Sequence, residues 1–332
     1  MPITIGTDPE FFVENIDTKQ LIDFGVNSIS AVPAFYALGI RDPNNPKIKL
    51  PAGEVTPDGL AVEFTVMPTS DIRKMLEYLR LNIVATSRLL TCGELTVNPR
   101  AYVDQKFIDS LTEEFGKACS LQVLGCDPDY NVYGMDIPDK PNPKKHNYRT
   151  SGGHIHLEVG KEFIKDQAAV CYLVAMLDNT LGSIGTFWCS SYEARLRKEQ
   201  YGYPGMVRTN PKLGTLEYRT LPSQALVQTP AKAKIMFSIA QRIGTWCHDI
   251  FYTEPNQQKV IADFANVVGE FDDVMSVATN IVNHNTDACL HQYLKFSDHK
   301  CPESLPIRRY NDDIMDVFYN ENPTDFKLRG WM

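Results

Sequence analysis

The stretch GGHIHLEV, residues 152–159, alternates strictly: Ile155, Leu157 and Val159 fall on one parity, His154, His156 and Glu158 on the other. A side-chain period of two marks a strand, here with one apolar face and one bearing imidazole and carboxylate. Three other segments repeat the pattern. Ile3 to Val13 sets Ile3, Ile5, Phe11 and Val13 against Asp8 and Glu10. Gly59 to Val66 sets Leu60, Val62, Phe64 and Val66 against Glu63, and Thr215 to Thr220 sets Leu216 and Tyr218 against Thr215, Glu217 and Arg219. Each strand can take helices on one face and carries chemistry on the other.

Such faces could simply be wet, as one side of an antiparallel sheet often is. The residue types argue otherwise: a solvated face draws on Lys, Thr and Ser, whereas these carry Asp, Glu and His, and clustered like charges repel unless a cation compensates them. Mg²⁺ and Mn²⁺ prefer carboxylate oxygen, with imidazole better tolerated by Mn²⁺. Asp8, Glu10, Glu63, His154 and Glu217 would form such a ligand set if their strands share one sheet. A tetrahedral zinc on His154, His156 and one acid fits less well, because several carboxylates are available. Arg149, Arg195, Arg197, Arg208 and Arg219 fall near the third and fourth strands, where guanidinium could grip phosphate or carboxylate. Taken singly, Arg195, Arg197 and Arg208 read as solvated charges. Arg219 stands apart because it shares a strand face with Glu217.

Helical spacing appears over Asp71 to Leu90, with Ile72, Met75, Leu76, Leu79 and Ile83 on one stripe after candidate caps Thr69 and Ser70. Further helices are expected over Asp166 to Phe187, from Thr229 with Pro230 at its first position towards His248, and over Gln257 to Asn283. Arg41 to Pro46 and Asp136 to Lys145 read as surface loops. No linker divides the chain, so a single domain is expected, with residues 224–332 as its helical C-terminal part. Neither a GxxxxGK[ST] loop nor a GxGxxG turn is present, so any nucleotide must be held by side chains and metal.

The 332 residues carry 33 basic and 41 acidic groups, a net charge of −8 that disfavours nucleic acid and anionic membranes as partners. The N-terminus lacks a targeting pattern and no apolar run reads as a membrane span, so a cytoplasmic location is expected. Eight cysteines without a CxxC pair read as reduced thiols.

In order, GTDPEFF, DGLAVEF, GCDPDYN, RTSGGHIH, YGYPGMVR and LEYRTLPS resemble the phage COOH-NH2 ligase type 2 family, amidoligases of the glutamine synthetase and glutamate-cysteine ligase superfamily. The resemblance spans residues 3–223. It implies an α+β fold, an antiparallel sheet with helices packed on one face and a catalytic concave face. It also implies ATP and Mg²⁺ (or Mn²⁺) as cofactors. It assigns Asp8, Glu10, Glu63, His154 and Glu217 to metal, His156 and Arg208 to nucleotide phosphate, and Arg219 to the transferred phosphoryl group. Glu63 and Arg208 join Arg219 as catalytic candidates, and Arg149 is a looser nucleotide contact. The implied reaction joins a small-molecule or peptide carboxylate to an amine through an acyl phosphate, in a host cytoplasm if the chain is phage-encoded. A modified nucleobase also falls within the substrate range. Two rivals are a metal-dependent hydrolase using His154, His156 and Glu10 to activate water, and a non-catalytic phage protein keeping only the fold.

Overall fold

The computed structural model describes residues 2–15, 21–22, 47–58, 61–90, 93–102, 130–136, 148–198 and 201–332. Gly59, Leu60, the loop Arg41 to Pro46, all but the first residue of Asp136 to Lys145, and Cys92, Cys119 and Cys126 lie outside them. So does most of GCDPDYN.

The segment Ile3 to Val13 forms two strands rather than one, β1 (Ile5–Thr7) and β2 (Glu10–Asn15). The break falls at Asp8 and Pro9, where proline has no N–H to give to a ladder. Parity survives it: Ile5, Phe11 and Val13 enter one core cluster. Phe12 is also buried, against Ala61 and Ala101, so the other face is covered at that end. After β3 (Leu21–Ile22), β4 (Ile48–Leu50) and β5 (Gly53–Asp58) comes β6 (Ala61–Thr69), running past Val66. Then follow β7 (Gly93–Thr96), β8 (Arg100–Tyr102), β9 (Tyr130–Asn131), β10 (Tyr148–Thr150) and β11 (Ile155–Glu158). The strands β12 (Met206–Asn210) and β13 (Thr215–Tyr218) form a hairpin.

Among the described residues the main sheet has eleven strands, its central path running β3-β2-β6-β1-β11-β13-β12-β9, and every pairing is antiparallel. The strands β8 and β10 form a separate pair. The fold is α+β. Helices cover the apolar face, where Val62, Phe64, Ile155, Leu157, Leu216 and Tyr218 are buried with them in one cluster.

Helix α1 (Ile72–Leu89) is capped by Asp71, whose side chain accepts from the Arg73 N–H at 2.8 Å, rather than by Thr69 or Ser70. It presents Met75, Leu79 and Ile83 to the core, one residue per turn. The next long helical run comprises α2 (Gln167–Leu177), a π-turn (Asp178–Gly182) and α3 (Ser183–Trp188). By length and composition this run could cross a membrane, which corrects the expectation that no segment could. Its apolar window is 83% buried inside the protein, so its apolarity serves the core. Helix α4 (Pro230–Thr253) starts as expected, with the Thr229 hydroxyl accepting from the Lys232 N–H. The stretch Gln257 to Asn283 is two helices, α5 (Gln257–Val268) and α6 (Phe271–Val282). They are parted at Gly269, whose φ of +97° is a left-handed conformation that ends a helix.

Candidate active site

Strand register brings the chemistry into adjacent rows. His156 lies opposite Gly6 on β1 and Glu217 on β13, and Glu217 lies opposite Arg208 on β12. Glu63 faces Glu10 across β6 and β2. All belong to the face away from the helices.

Asp8 is the hub. Its Oδ1 lies 3.1 Å from His156 Nε2 and 3.2 Å from His154 Nδ1. Burial alone would raise its carboxyl, but the two imidazoles outweigh that and hold it well below the usual carboxylate range. Burial lowers the His154 imidazole, partly offset by Asp8, while Asp8, Glu217 and Glu63 outweigh burial at His156 and raise it. Glu63 is thus within the electrostatic reach of the cluster.

Glu217 lies 3.5 Å from His154 Nδ1 and 3.5 Å from Arg208 Nη1. It also accepts from Arg219 Nη1, and Arg219 Nη2 donates to the Tyr201 hydroxyl. Glu10 Oε1 stands 3.9 Å from His154 Nε2, and its Oε2 accepts from the Gly152 N–H at 2.6 Å. A Cβ at Gly152 would stand 2.5 Å from His154 Nε2, so glycine is what lets the chain pass beneath that ring.

Of the expected site residues, Asp8, Glu10, Glu63, His154, His156, Arg208, Glu217 and Arg219 share this face, whereas Arg149 belongs to another strand pair. His154 precedes the ladder of β11 and is turned inward, its Nε2 2.8 Å from the Tyr201 hydroxyl. The ligand atoms that meet within 4.8 Å of one another belong to Asp8, His156 and Glu217, which sets His156 beside the acids. Arg149 stands in β10 of the separate pair, where its buried guanidinium donates to the Tyr148 carbonyl. Arg195 is exposed.

Arg197 corrects the reading of it as solvated: it is fully buried and donates to the carbonyls of Ser151, Thr220 and Leu221. It ties the segment entering His154 to the segment leaving Arg219, and burial lowers its guanidinium to about 10. Tyr201 was also missed. Its only signal was the motif YGYPGMVR, since a lone aromatic shows no partner in sequence.

The residues fit a divalent cation. Asp8 Oδ1 is buried and faces two imidazole nitrogens without a well-directed hydrogen bond from either, with a second carboxylate beside it. Two carboxylates suit a hard divalent cation, and the imidazole beside them is better tolerated by Mn²⁺ than by Mg²⁺. A cleft of about 410 Å³ opens beside Asp8 and His156. A larger groove of about 1060 Å³ lies among the helices, near Arg242, Trp246 and Tyr310, remote from the acidic cluster.

No curated protein matches the chain. Among solved structures, one described as a novel glutamine synthase homolog aligns at 10% identity and a TM-score of 0.38, over 94% of this chain and 71% of its own. A bifunctional glutathione synthetase from Pasteurella multocida aligns at 11% identity and a TM-score of 0.35, over 95% of this chain. This chain spans 49% of that synthetase's length. Residues 144–295, which hold His154, His156, Arg208, Glu217 and Arg219, match the family described as phage phiEco32-like COOH.NH2 ligase-type 2, the family that the ordered motifs resemble.

Proposed function

We propose that the chain is an ATP-dependent carboxylate–amine ligase. The observation that carries this reading is the convergence of Asp8, His156 and Glu217 on one sheet face with Arg219 bonded to Glu217. Phosphoryl transfer needs little covalent help from a protein; it needs charge neutralised and oxygens aligned. Asp8, His156 and Glu217, with Glu10, Glu63 and His154 behind them, would hold Mg²⁺ or Mn²⁺. That cation supplies compensation for phosphate charge when bound.

Arg219 and Arg208 flank Glu217 and would meet the transferred phosphoryl group. The substrate carboxylate oxygen attacks the terminal phosphorus of ATP, and the bond to ADP breaks. The amine lone pair then forms the C–N bond as the acyl C–O bond breaks, its electrons leaving on phosphate, with one proton released overall from the ammonium form. The location read from the sequence, a cytoplasm, suits a reaction that draws on ATP.

The test is ADP release by the purified protein with Mg²⁺ or Mn²⁺ over a matrix of carboxylates and amines, with hydroxylamine as a small amine surrogate that traps activated carboxylates as hydroxamates. ADP formation that requires both partners supports the ligase. Turnover of an ester or amide without ATP would instead favour the metal-dependent hydrolase using His154, His156 and Glu10.

A further inference from the structure

The polar face is graded along the strands. One row holds Thr4, Glu158 and Thr215, with the Glu158 N–H bonded to the Thr4 carbonyl and Glu158 opposite Thr215. The next holds Gly6, His156, Glu217 and Arg208. Beyond it come Asp8, His154 and Arg219. Arg208 lies beside Glu217 in the middle row and Arg219 in the last, and neither guanidinium lines the 410 Å³ cleft.

Its walls are Ile5, Val66, Pro68 and Leu213 with uncharged threonines, and its charged lining residues are Asp8, His156 and Glu158. Among the described residues, neither lysine nor arginine lines it. Leu213, at the tip of the β12–β13 hairpin, is 64% exposed and offers apolar surface at the rim. Gly6 adds no side chain to this lining. At its Glu158 end a phosphate or a second carboxylate would be repelled. An aliphatic chain ending in a cation would be matched at both its body and its end.

We infer that this cleft receives the amine substrate, and that Glu158 selects an alkylamine bearing a second cationic group at its far end. Side chains two residues apart on a strand stand about 7 Å from each other. A diamine of short aliphatic length would therefore reach from Glu158 to the cluster at His156, where its other nitrogen meets the activated carboxylate. The inference rests on the ligase reading for its chemistry, but the recognition it describes is a binding event that can be measured without turnover.

The experiment is calorimetric titration of the full chain with three probes of matched length: 1,4-diaminobutane, n-butylamine and 4-aminobutyrate. The expected order is diaminobutane about tenfold tighter than butylamine, the scale of one charge-assisted contact in a partly enclosed site, with aminobutyrate weakest. Glu158→Gln, an exposed strand position that should fold normally, is expected to erase the preference, and Glu158→Lys to reverse it. Equal binding of the three probes, or a preference that survives Glu158→Gln, overturns the inference. Separately, failure of the wild-type protein to form hydroxamate or ADP with hydroxylamine and any carboxylate would overturn the ligase reading while leaving the titration result to stand or fall on its own.

Discussion

Glu217 and Arg219 are both buried, and their ion pair changes what Glu217 does for the fold. Read in the sequence, Glu217 is one acid among several and its charge would burden the metal-free protein. In the structure it is an ion-pair partner of a guanidinium with no exposed surface. Glu217→Ala is therefore expected to destabilise the metal-free protein by about 3–5 kcal/mol, the usual cost of stranding one member of a buried pair. Denaturant unfolding of wild type and variant without metal measures it, and an unchanged midpoint would mean that Arg219 has found another acceptor. Arg219→Lys keeps the charge but cannot donate to both Glu217 and Tyr201 from one planar fork. It should lower kcat by roughly one to three orders of magnitude with a smaller change in the KM for ATP. A rise in KM alone would make Arg219 a binding residue.

At the scale of the element, the site depends on a buried carboxylate on the opposite face of the sheet. Asp178 sits in the π-turn between α2 and α3, 0% exposed. It accepts from the hydroxyls of Tyr133 at 2.7 Å and Tyr218 at 2.6 Å and from the Gly205 N–H at 2.8 Å. Burial raises its carboxyl despite these donors. Gly205 immediately precedes β12, and Tyr218 lies between Glu217 and Arg219, so Asp178 holds from behind the hairpin that carries Arg208, Glu217 and Arg219. Asp178→Ala would leave those donors buried and unpaired, at about 3 kcal/mol or more. Urea unfolding checks the loss, and a cost near zero would show that the hairpin keeps its place without that anchor. The sequence concealed this residue because an acid inside an apolar helical stripe breaks its pattern and names no partner. The strand faces were legible because alternation is local, whereas Asp178, Tyr201 and Arg197 act across long separations in the chain.

For the whole molecule, a cation bound by Asp8, His156 and Glu217 should couple to folding, because the unfolded chain does not hold those strands together. Mn²⁺ at a hundred times its dissociation constant is expected to stabilise the protein by about 2.7 kcal/mol. Thermal unfolding with and without Mn²⁺ measures the shift, and Asp8→Asn should remove most of it. A wild-type transition indifferent to Mn²⁺ and Mg²⁺ would argue against a metal site in this cluster.

Residue order by itself determined which side chains share a strand face, because a period of two is imposed by backbone geometry and needs no partner. It determined Pro230 and Thr229 as a helix start for the same reason: capping is satisfied within one turn. It did not determine that β6 runs on to Thr69, since that extension depends on what its backbone meets on β1. It took the folded sheet to bring both imidazoles onto Asp8, His156 through Nε2 and His154 through Nδ1, and to set the other ring nitrogen of His154 against Tyr201. The two histidines have the same parity and nearly the same neighbours in sequence. They differ because β11 begins after His154, leaving that ring to be set by Gly152, Tyr201 and the buried Arg197 beneath them.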